Sequence, residues 1–259
     1  MESPFQFFKY FFTNELIDFI AKQSYQYSVQ TNPDRPVVVT SAAVKKYVGI
    51  CIFTSLVHVP NIRDYWDLVL GNTSISSVMS VNQFEKIRRY LNLCNNAEML
   101  TDNTTGYRLF KLRPVFEALR AKFLSVPMEE CLALDEQMCS TKARHYLKQY
   151  MPNKLHKGGY KFFVLSGVSG YAYDIEIYTG QENDPSKRKA GEPDWGTTVN
   201  VVVRLMRHIP KNARYKLYFD NYYICPKIMV HLAEQGILSL NRANESSKGL
   251  QTPNRARTQ

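Results

Sequence analysis

The fold of this chain is decided by a short apolar run that ends in an aspartate, Cys131-Leu132-Ala133-Leu134-Asp135. A second run of the same kind ends in the same way, Tyr215-Lys216-Leu217-Tyr218-Phe219-Asp220. Short, mostly apolar runs of this length are typical of buried strands. The pattern therefore predicts two strands, each with an aspartate at its carboxyl end.

The residues between and after these runs alternate between strand and helix patterns. Residues 160–165 and 171–178 flank a turn rich in glycine and serine, which predicts a hairpin. Helices are predicted at 197–208 and 226–235, and a short last strand at 237–240. The order strand, hairpin, helix, strand, helix, strand predicts a mixed sheet with helices packed on it.

The first half of the chain carries the spacing of helices. Thr13 and Ser80 are residues that favour the start of a helix, and each precedes apolar residues at helical intervals. Thr40 or Ser41 opens a further helix, and residues 113–125 form another. We therefore place a domain boundary near Glu129 and expect an α/β protein with an all-helical N-terminal domain.

The chain is strongly basic. Its 259 residues include 33 lysines and arginines against 23 acids, which gives a net charge of +10 and an isoelectric point near 9.3. Such an excess indicates a polyanionic partner, with nucleic acid first and an anionic membrane surface second. Charge alone is equally consistent with a generic basic protein.

Other classes of protein are disfavoured by the residue pattern. No segment has the roughly 18 uncharged apolar residues that a membrane span needs. The five cysteines are far apart and form no CxxC pair, so we expect neither a disulfide framework nor a zinc cluster. The aromatic N-terminus does not resemble a signal peptide. We expect no membrane partner and a cytosolic or nuclear location.

The two strand-end aspartates have two interpretations. If the strands are parallel neighbours, the carboxylates meet at one sheet edge, and a cation between them relieves their repulsion. Magnesium suits such a site, because it prefers hard oxygen ligands and keeps waters or phosphates in its other positions. Alternatively, Asp135 and Asp220 each cap the turn after a strand, a common place for aspartate.

The charge around the two aspartates favours the metal site. No acid occurs within residues 137–173 or 195–219, although both stretches contain several cations. Scattered lysines usually form a solvated face, but acid-free runs beside two aspartates are more typical of a phosphate-binding surface. The residues that we expect to contact DNA are Lys142, Arg144, Lys148, Lys154, Lys157, Lys161, Arg204 and Arg207.

Longer blocks of sequence surround both aspartates. The first comprises Asp135-Glu136-Gln137-Met138, Lys142, Arg144 and Leu147-Lys148-Gln149-Tyr150-Met151-Pro152-Asn153-Lys154, and continues at Gly170-Tyr171-Ala172-Tyr173-Asp174-Ile175-Glu176-Ile177-Tyr178-Thr179-Gly180. The second comprises Asn200-Val201-Val202-Val203-Arg204-Leu205 and Tyr218-Phe219-Asp220-Asn221-Tyr222-Tyr223. Shorter matches lie upstream at Glu2-Ser3-Pro4, Phe11-Phe12-Thr13 and Arg63-Asp64-Tyr65-Trp66. Over residues 1–240 the chain resembles the piggyBac transposase family.

The resemblance implies a domain plan and an activity. It implies a helical dimerisation and DNA-binding domain at 1–128, a partial ribonuclease-H-like catalytic domain with an incomplete sheet at 129–240, and a divergent polar tail at 241–259. It also implies a metal-dependent cut-and-paste reaction on DNA in the nucleus, at TTAA targets. The family uses three catalytic aspartates, and Asp135 and Asp220 match the first two, as catalytic residues and ligands of magnesium.

The chain departs from the family pattern in places that bear on activity. Ser140, Thr141 and Ala143 replace the proline, phenylalanine and glycine usual after the first aspartate. The third aspartate has no counterpart, and neither Glu234 nor Glu245 is expected to replace it. We therefore expect a C-terminally truncated, transposase-derived protein that binds DNA, holds magnesium weakly and does not transpose.

Three other interpretations stay open at this stage. A separate segment or partner could supply the missing carboxylate and restore a transposase. The helical half could instead form a homodimer or pair with a full-length transposase, as a non-enzymatic interaction module. The chain could also be a decayed element without a role.

Overall fold

The computed structural model describes residues 3–98, 109–180, 187–223 and 225–241. The chain divides into two compact units between Lys122 and Phe123. This division precedes the boundary predicted near Glu129, because Val126 and Met128 already pack against the hydrophobic core of the second unit. None of the helices in these ranges is long and apolar enough to cross a membrane.

The first unit is helical, as predicted. Its α-helices, the last of which crosses the division, are α1 (Pro4–Phe11), α2 (Asn14–Thr31), α3 (Ser41–Leu56), α4 (Thr73–Ser76), α5 (Val81–Tyr90) and α6 (Arg113–Leu124). Short 3-10 helices lie at Ile62–Trp66 and Asn96–Glu98.

Side-chain caps start three of these helices where the sequence predicts them. The side-chain oxygens of Thr13, Thr40 and Ser80 accept backbone N–H groups in the first turns of α2, α3 and α5. Each cap satisfies a donor that has no partner within its own helix. The helix starts are therefore local properties of the sequence.

The second unit combines six strands with two α-helices. The strands are β1 (Cys131–Ser140), β2 (Gln149–Tyr150), β3 (Gly158–Gly167), β4 (Ala172–Ile177), β5 (Lys216–Phe219) and β6 (Leu238–Asn241). The helices are α7 (Thr197–Leu205), which a 3-10 turn extends over Met206–His208, and α8 (Pro226–Glu234). A further 3-10 turn, Asn221–Tyr223, follows β5.

The sheet is mixed, as the element order predicts. Its strand order is β2-β3-β1-β5-β6, and β4 also pairs with β3. The pairs that β3 makes with β1, β2 and β4 are antiparallel, whereas β5 is parallel to both β1 and β6. The crossover helices α7 and α8 connect the parallel strands, as such connections require.

Strand β1 is longer than predicted. Its pairing with β3 runs from Leu132 opposite Gly167 to Ser140 opposite Gly159, well beyond its pairing with β5. The prediction that Asp135 ends its strand is therefore wrong. Pairing with the antiparallel strand β3 extends β1 beyond Asp135 through mostly polar residues, which an apolar sequence pattern does not detect.

One face of the sheet packs against α7 and α8. Leu132 and Leu134 of β1 and Leu217 and Phe219 of β5 are buried on this face. They share a core with further apolar residues of the two helices, including Val201, Val202, Ile228 and Leu232. The central parallel pair is therefore held by burial of alternate side chains.

Truncation of a central core residue tests this arrangement. Replacing Leu217, which is fully buried, by alanine leaves a cavity between β5 and the helices. We expect Leu217→Ala to lower the free energy of unfolding of the second unit by about 2–5 kcal/mol in urea titrations. Leu238→Ala, on the exposed face of neighbouring β6, is expected to cost less than about 0.5 kcal/mol. Equal losses would contradict the assigned faces of the sheet.

Candidate functional site

Asp135 and Asp220 occupy corresponding places on two adjacent strands. The parallel pairing of β1 with β5 ends with Leu134 opposite Phe219. Asp135 is the next residue of β1, and Asp220 is the first residue after β5. Since neighbouring strands lie about 4.8 Å apart, the two aspartates emerge side by side from the central pair.

Both aspartates are open to solvent. Side chains alternate between the faces of a strand, so Asp135 lies on the face opposite the buried Leu134. The side chain of Asp135 retains 67% of its exposure, and Asp220 is also exposed. The pair is therefore accessible to a cation or a nucleic acid.

Glu136, the residue after Asp135, lies on the opposite face and is largely buried. Its carboxylate accepts a hydrogen bond from the hydroxyl of Tyr223 and lies 3.5 Å from the Lys161 ammonium. Burial acts to raise the pKa of this carboxyl, but the Tyr223 hydrogen bond and the nearby lysines outweigh it, so the pKa is lowered. Glu136 is therefore an ionised, internally neutralised group behind the exposed pair.

Lys154 reaches both carboxylates from the loop that joins β1 to β3. Its Nζ lies 3.7 Å from Oδ1 of Asp135 and 3.6 Å from Oε2 of Glu136. The same atom donates a hydrogen bond to the Glu136 carbonyl oxygen at 3.2 Å. Lys154 thus anchors the basic loop beside Asp135.

The acidic pair could supply two ligands for a metal. Two adjacent carboxylates are hard oxygen donors that suit magnesium, with waters or phosphates in its remaining positions. Within the described ranges, no group of three His, Cys, Asp or Glu side chains forms a metal site. Glu234 is exposed at the end of α8, and Glu245 lies outside the described residues. The candidate metal site within the described residues is therefore limited to the two carboxylates of Asp135 and Asp220.

Arg204 was predicted to contact DNA, but its side chain is buried and cannot do so. Its side chain retains only 4% exposure, and its guanidinium donates to both oxygens of Glu176 on β4, at 2.7 and 2.8 Å. The sequence stretch around Arg204 contains no acid, but the sheet brings one from a neighbouring strand. Arg204 is a structural residue between α7 and β4.

Arg207 is likewise engaged inside the protein. Its Nε donates to Glu192 at 2.6 Å, and its Nη2 donates both to Glu192 and to the carbonyl oxygen of Lys187. Lys216, in the same acid-free stretch, pairs with Glu130 at 2.6 Å. Three of the five cations in the second basic stretch are therefore paired with acids from outside it, whereas Lys211 and Arg214 are exposed.

The first basic stretch keeps several free cations. Lys142, Arg144 and Lys157 are exposed on the loop between β1 and β3, and Lys148 is half-buried there. None of these four forms an ion pair with an acid among the residues the structure describes. Lys154 and Lys161 face the carboxylates of Asp135 and Glu136 instead. The predicted phosphate-binding residues thus separate into an exposed set and a set that neutralises acids.

Sequence reasoning missed Glu136 and Tyr223 as parts of this site. Both residues lie in the sequence blocks around the aspartates, but neither residue type indicates that the Tyr223 hydroxyl donates a hydrogen bond to Glu136. The hydrogen bond joins segments that are far apart in sequence, so only the folded sheet reveals it.

The two units and the acidic pair together define a class of protein. A mixed α/β sheet of the ribonuclease-H-like type follows a helical unit, and the central parallel pair of the sheet carries the two aspartates. Sequence comparison then gives the family. The chain belongs to the Transposase IS4 family, whose sequence model matches residues 3–259.

Two curated human proteins are similar to this chain. It is 26% identical over 241 residues to PiggyBac transposable element-derived protein 3, covering 91% of this chain and 39% of that protein. It is 24% identical over 248 residues to PiggyBac transposable element-derived protein 2, covering 94% of this chain and 40% of that protein. The chain thus spans about two fifths of the length of these relatives.

The fold is also found among solved structures. The cryo-EM structure of the piggyBac transposase synaptic complex with hairpin DNA aligns over 96% of this chain and 52% of that chain. The TM-score is 0.78 at 19% identity. The resemblance to piggyBac transposases that the sequence indicated is confirmed.

The buried pair of Arg204 and Glu176 can be tested by stability measurements. Arg204→Ala removes the hydrogen bonds to the largely buried Glu176 and leaves Lys187, 3.8 Å away, as a weaker partner, so it is expected to cost about 1.5–3 kcal/mol in urea unfolding. Arg144→Ala removes an exposed charge and is expected to change stability by less than about 0.5 kcal/mol. The double variant Arg204→Met/Glu176→Leu should recover part of the loss, and failure to recover any would contradict a specific pair.

Proposed function

We propose that this chain is a transposase-derived protein that binds DNA beside the acidic pair Asp135 and Asp220, which holds a divalent metal. The observation that carries the proposal is the register of the central strands, in which Leu134 lies opposite Phe219 and the two aspartates follow. The family supports a transposase origin.

The acidic pair favours a cation for an electrostatic reason. Two ionised carboxylates side by side repel each other, and a divalent cation between them removes that cost. Asp135 and Asp220 would hold such a cation, and in a complete site it would supply polarisation of a phosphodiester and activation of the attacking oxygen. Exposure of Asp135 and Asp220 leaves room for a DNA phosphate in the same place.

The loop between β1 and β3 supports DNA binding. It presents Lys142, Arg144, Lys157 and the ring of Tyr146 to solvent, and the ring of Tyr150 in the short strand β2 of the same segment is also exposed. Cations that contact phosphates and aromatic rings that stack on bases are a common combination in nucleic-acid binding. Because Lys154 ties this loop to β1 beside Asp135, DNA held by the loop would pass the acidic pair.

The chain by itself is proposed to bind DNA without cutting it. The register of β1 and β5 supports a site with the two carboxylates of Asp135 and Asp220, and no group of three His, Cys, Asp or Glu that could hold a metal is found among the described residues. Ligands of a catalytic metal site act as a unit, so an incomplete set leaves little turnover. Cleavage would then require a carboxylate from outside the 259 residues, and a second copy or a full-length transposase is a proposed partner. Action on chromosomal DNA implies a nuclear location.

Salt-dependent binding to duplex DNA tests the proposed surface. We expect affinity to fall steeply with salt, with a log–log slope near −0.9 for each phosphate neutralised. The triple variant Lys142→Gln, Arg144→Gln and Lys157→Gln should weaken binding and flatten the slope by up to about 0.9 per lost contact. Fluorescence anisotropy at several salt concentrations measures both quantities.

A matched control separates contact from net charge. The triple variant Lys189→Gln, Lys211→Gln and Lys227→Gln removes the same charge from exposed positions outside the loop. It should reduce the affinity much less and leave the slope nearly unchanged. If both triple variants behave alike, the loop is not the DNA-binding surface.

A cleavage assay tests the proposed inactivity. The purified chain is incubated with DNA that carries matched transposon ends, first in magnesium and then in manganese. We expect only background cleavage, equal in the unchanged protein and in Asp135→Asn and Asp220→Asn. Specific nicking that disappears in either variant would show instead that the chain is an active nuclease.

A further inference from the structure

Tyr223 connects the two segments that carry the aspartates. It ends the 3-10 turn that follows Asp220, and its backbone N–H donates to the Asp220 carbonyl oxygen at 3.0 Å. Its side-chain hydroxyl donates to the carboxylate of Glu136, the residue after Asp135. One residue thus holds the backbone of Asp220 and reaches the strand position beside Asp135.

This connection is shielded from water. Tyr223 is fully buried, and the side chain of Glu136 retains 9% of its exposure. The Tyr223 ring packs edge-on against Phe163, with centroids 6.4 Å apart. Lys161, whose ammonium lies 4.6 Å from the Phe163 ring centroid, neutralises the carboxylate. The hydroxyl and the carboxylate therefore have little competition from solvent.

The sheet alone does not determine the separation of the aspartates. The β1–β5 ladder ends at Leu134 and Phe219, one residue before the pair. Beyond this point β1 continues beside β3, whereas the chain after β5 turns into a 3-10 helix. A contact beyond the ladder is needed to hold the two backbones at one distance, and the bond between Tyr223 and Glu136 bridges the diverging segments.

We propose that Tyr223 and Glu136 are positioning residues, whose hydrogen bond sets the spacing of the Asp135 and Asp220 carboxylates for a divalent cation. This inference rests on the proposed function, in which that pair binds the metal. Groups behind metal ligands typically change metal affinity by about 10- to 100-fold when they are removed, because they orient the ligands. Neither residue touches the metal in this proposal.

Manganese binding to the full chain tests the proposal without DNA or turnover. Manganese alone is titrated into the protein, and the free ion is quantified by electron paramagnetic resonance. Tyr223→Phe removes one hydroxyl and no charge, and we expect it to weaken manganese binding by about 10-fold. Tyr222→Phe removes the same group from the adjacent, mostly exposed tyrosine and should leave the affinity unchanged.

A second pair of variants tests the acceptor of the hydrogen bond. Glu136→Gln and Glu136→Ala remove the same charge, but only glutamine keeps an oxygen that accepts from Tyr223. We expect Glu136→Gln to bind manganese more tightly than Glu136→Ala. This comparison also carries the test if Tyr223→Phe does not fold.

The outcomes distinguish a failure of the positioning role from a failure of the metal site itself. Circular dichroism with thermal unfolding identifies the temperature range in which each variant is folded. If Tyr223→Phe has a lower melting temperature but unchanged manganese affinity, or if the two Glu136 variants bind equally, the positioning role is wrong. If Asp135→Asn binds manganese as tightly as the unchanged protein does, the metal site itself is wrong, and the proposed function fails with it.

Discussion

Parallel pairing of β1 with β5 places Leu134 beside Phe219, and burial of these two side chains holds the register. A slip of one residue would turn the apolar side chains of one strand away from α7 and α8 and expose them to water. The same register brings Asp135 and Asp220 out together on the central pair. The hydrophobic core therefore determines where the acidic groups lie, although they take no part in it.

The acids of the second unit differ in how they are paired and in how far they are exposed. Glu176 is paired with Arg204 and Glu192 with Arg207, and both pairs are largely shielded from water. Glu136 is satisfied by Tyr223 and neutralised by lysines. Asp135, in contrast, stays exposed with a single lysine nearby at 3.7 Å. Asp135 therefore differs from these buried, paired acids in its exposure, which the proposed binding of an external cation requires.

Secondary structure was predictable where it depends on neighbours in sequence. Thr13 and Ser80 start helices because their side chains satisfy backbone donors of the following turn. The length of β1 was not predictable from apolar pattern, since the strand beyond Leu134 is sustained by backbone pairing with β3. Arg204 was misassigned for a related reason, because its acidic partner comes from another strand.

The sequence by itself determined the family, the order of most helices and strands, and the choice of the two candidate aspartates, because these depend on local residue patterns. Only the tertiary structure decided which cations are free. Ion pairing depends on distance in space, so Arg204 forms an ion pair with Glu176, whereas Arg144 stays exposed. The contact between Tyr223 and Glu136 has the same origin: it exists because the sheet brings two distant segments together and excludes water from between them.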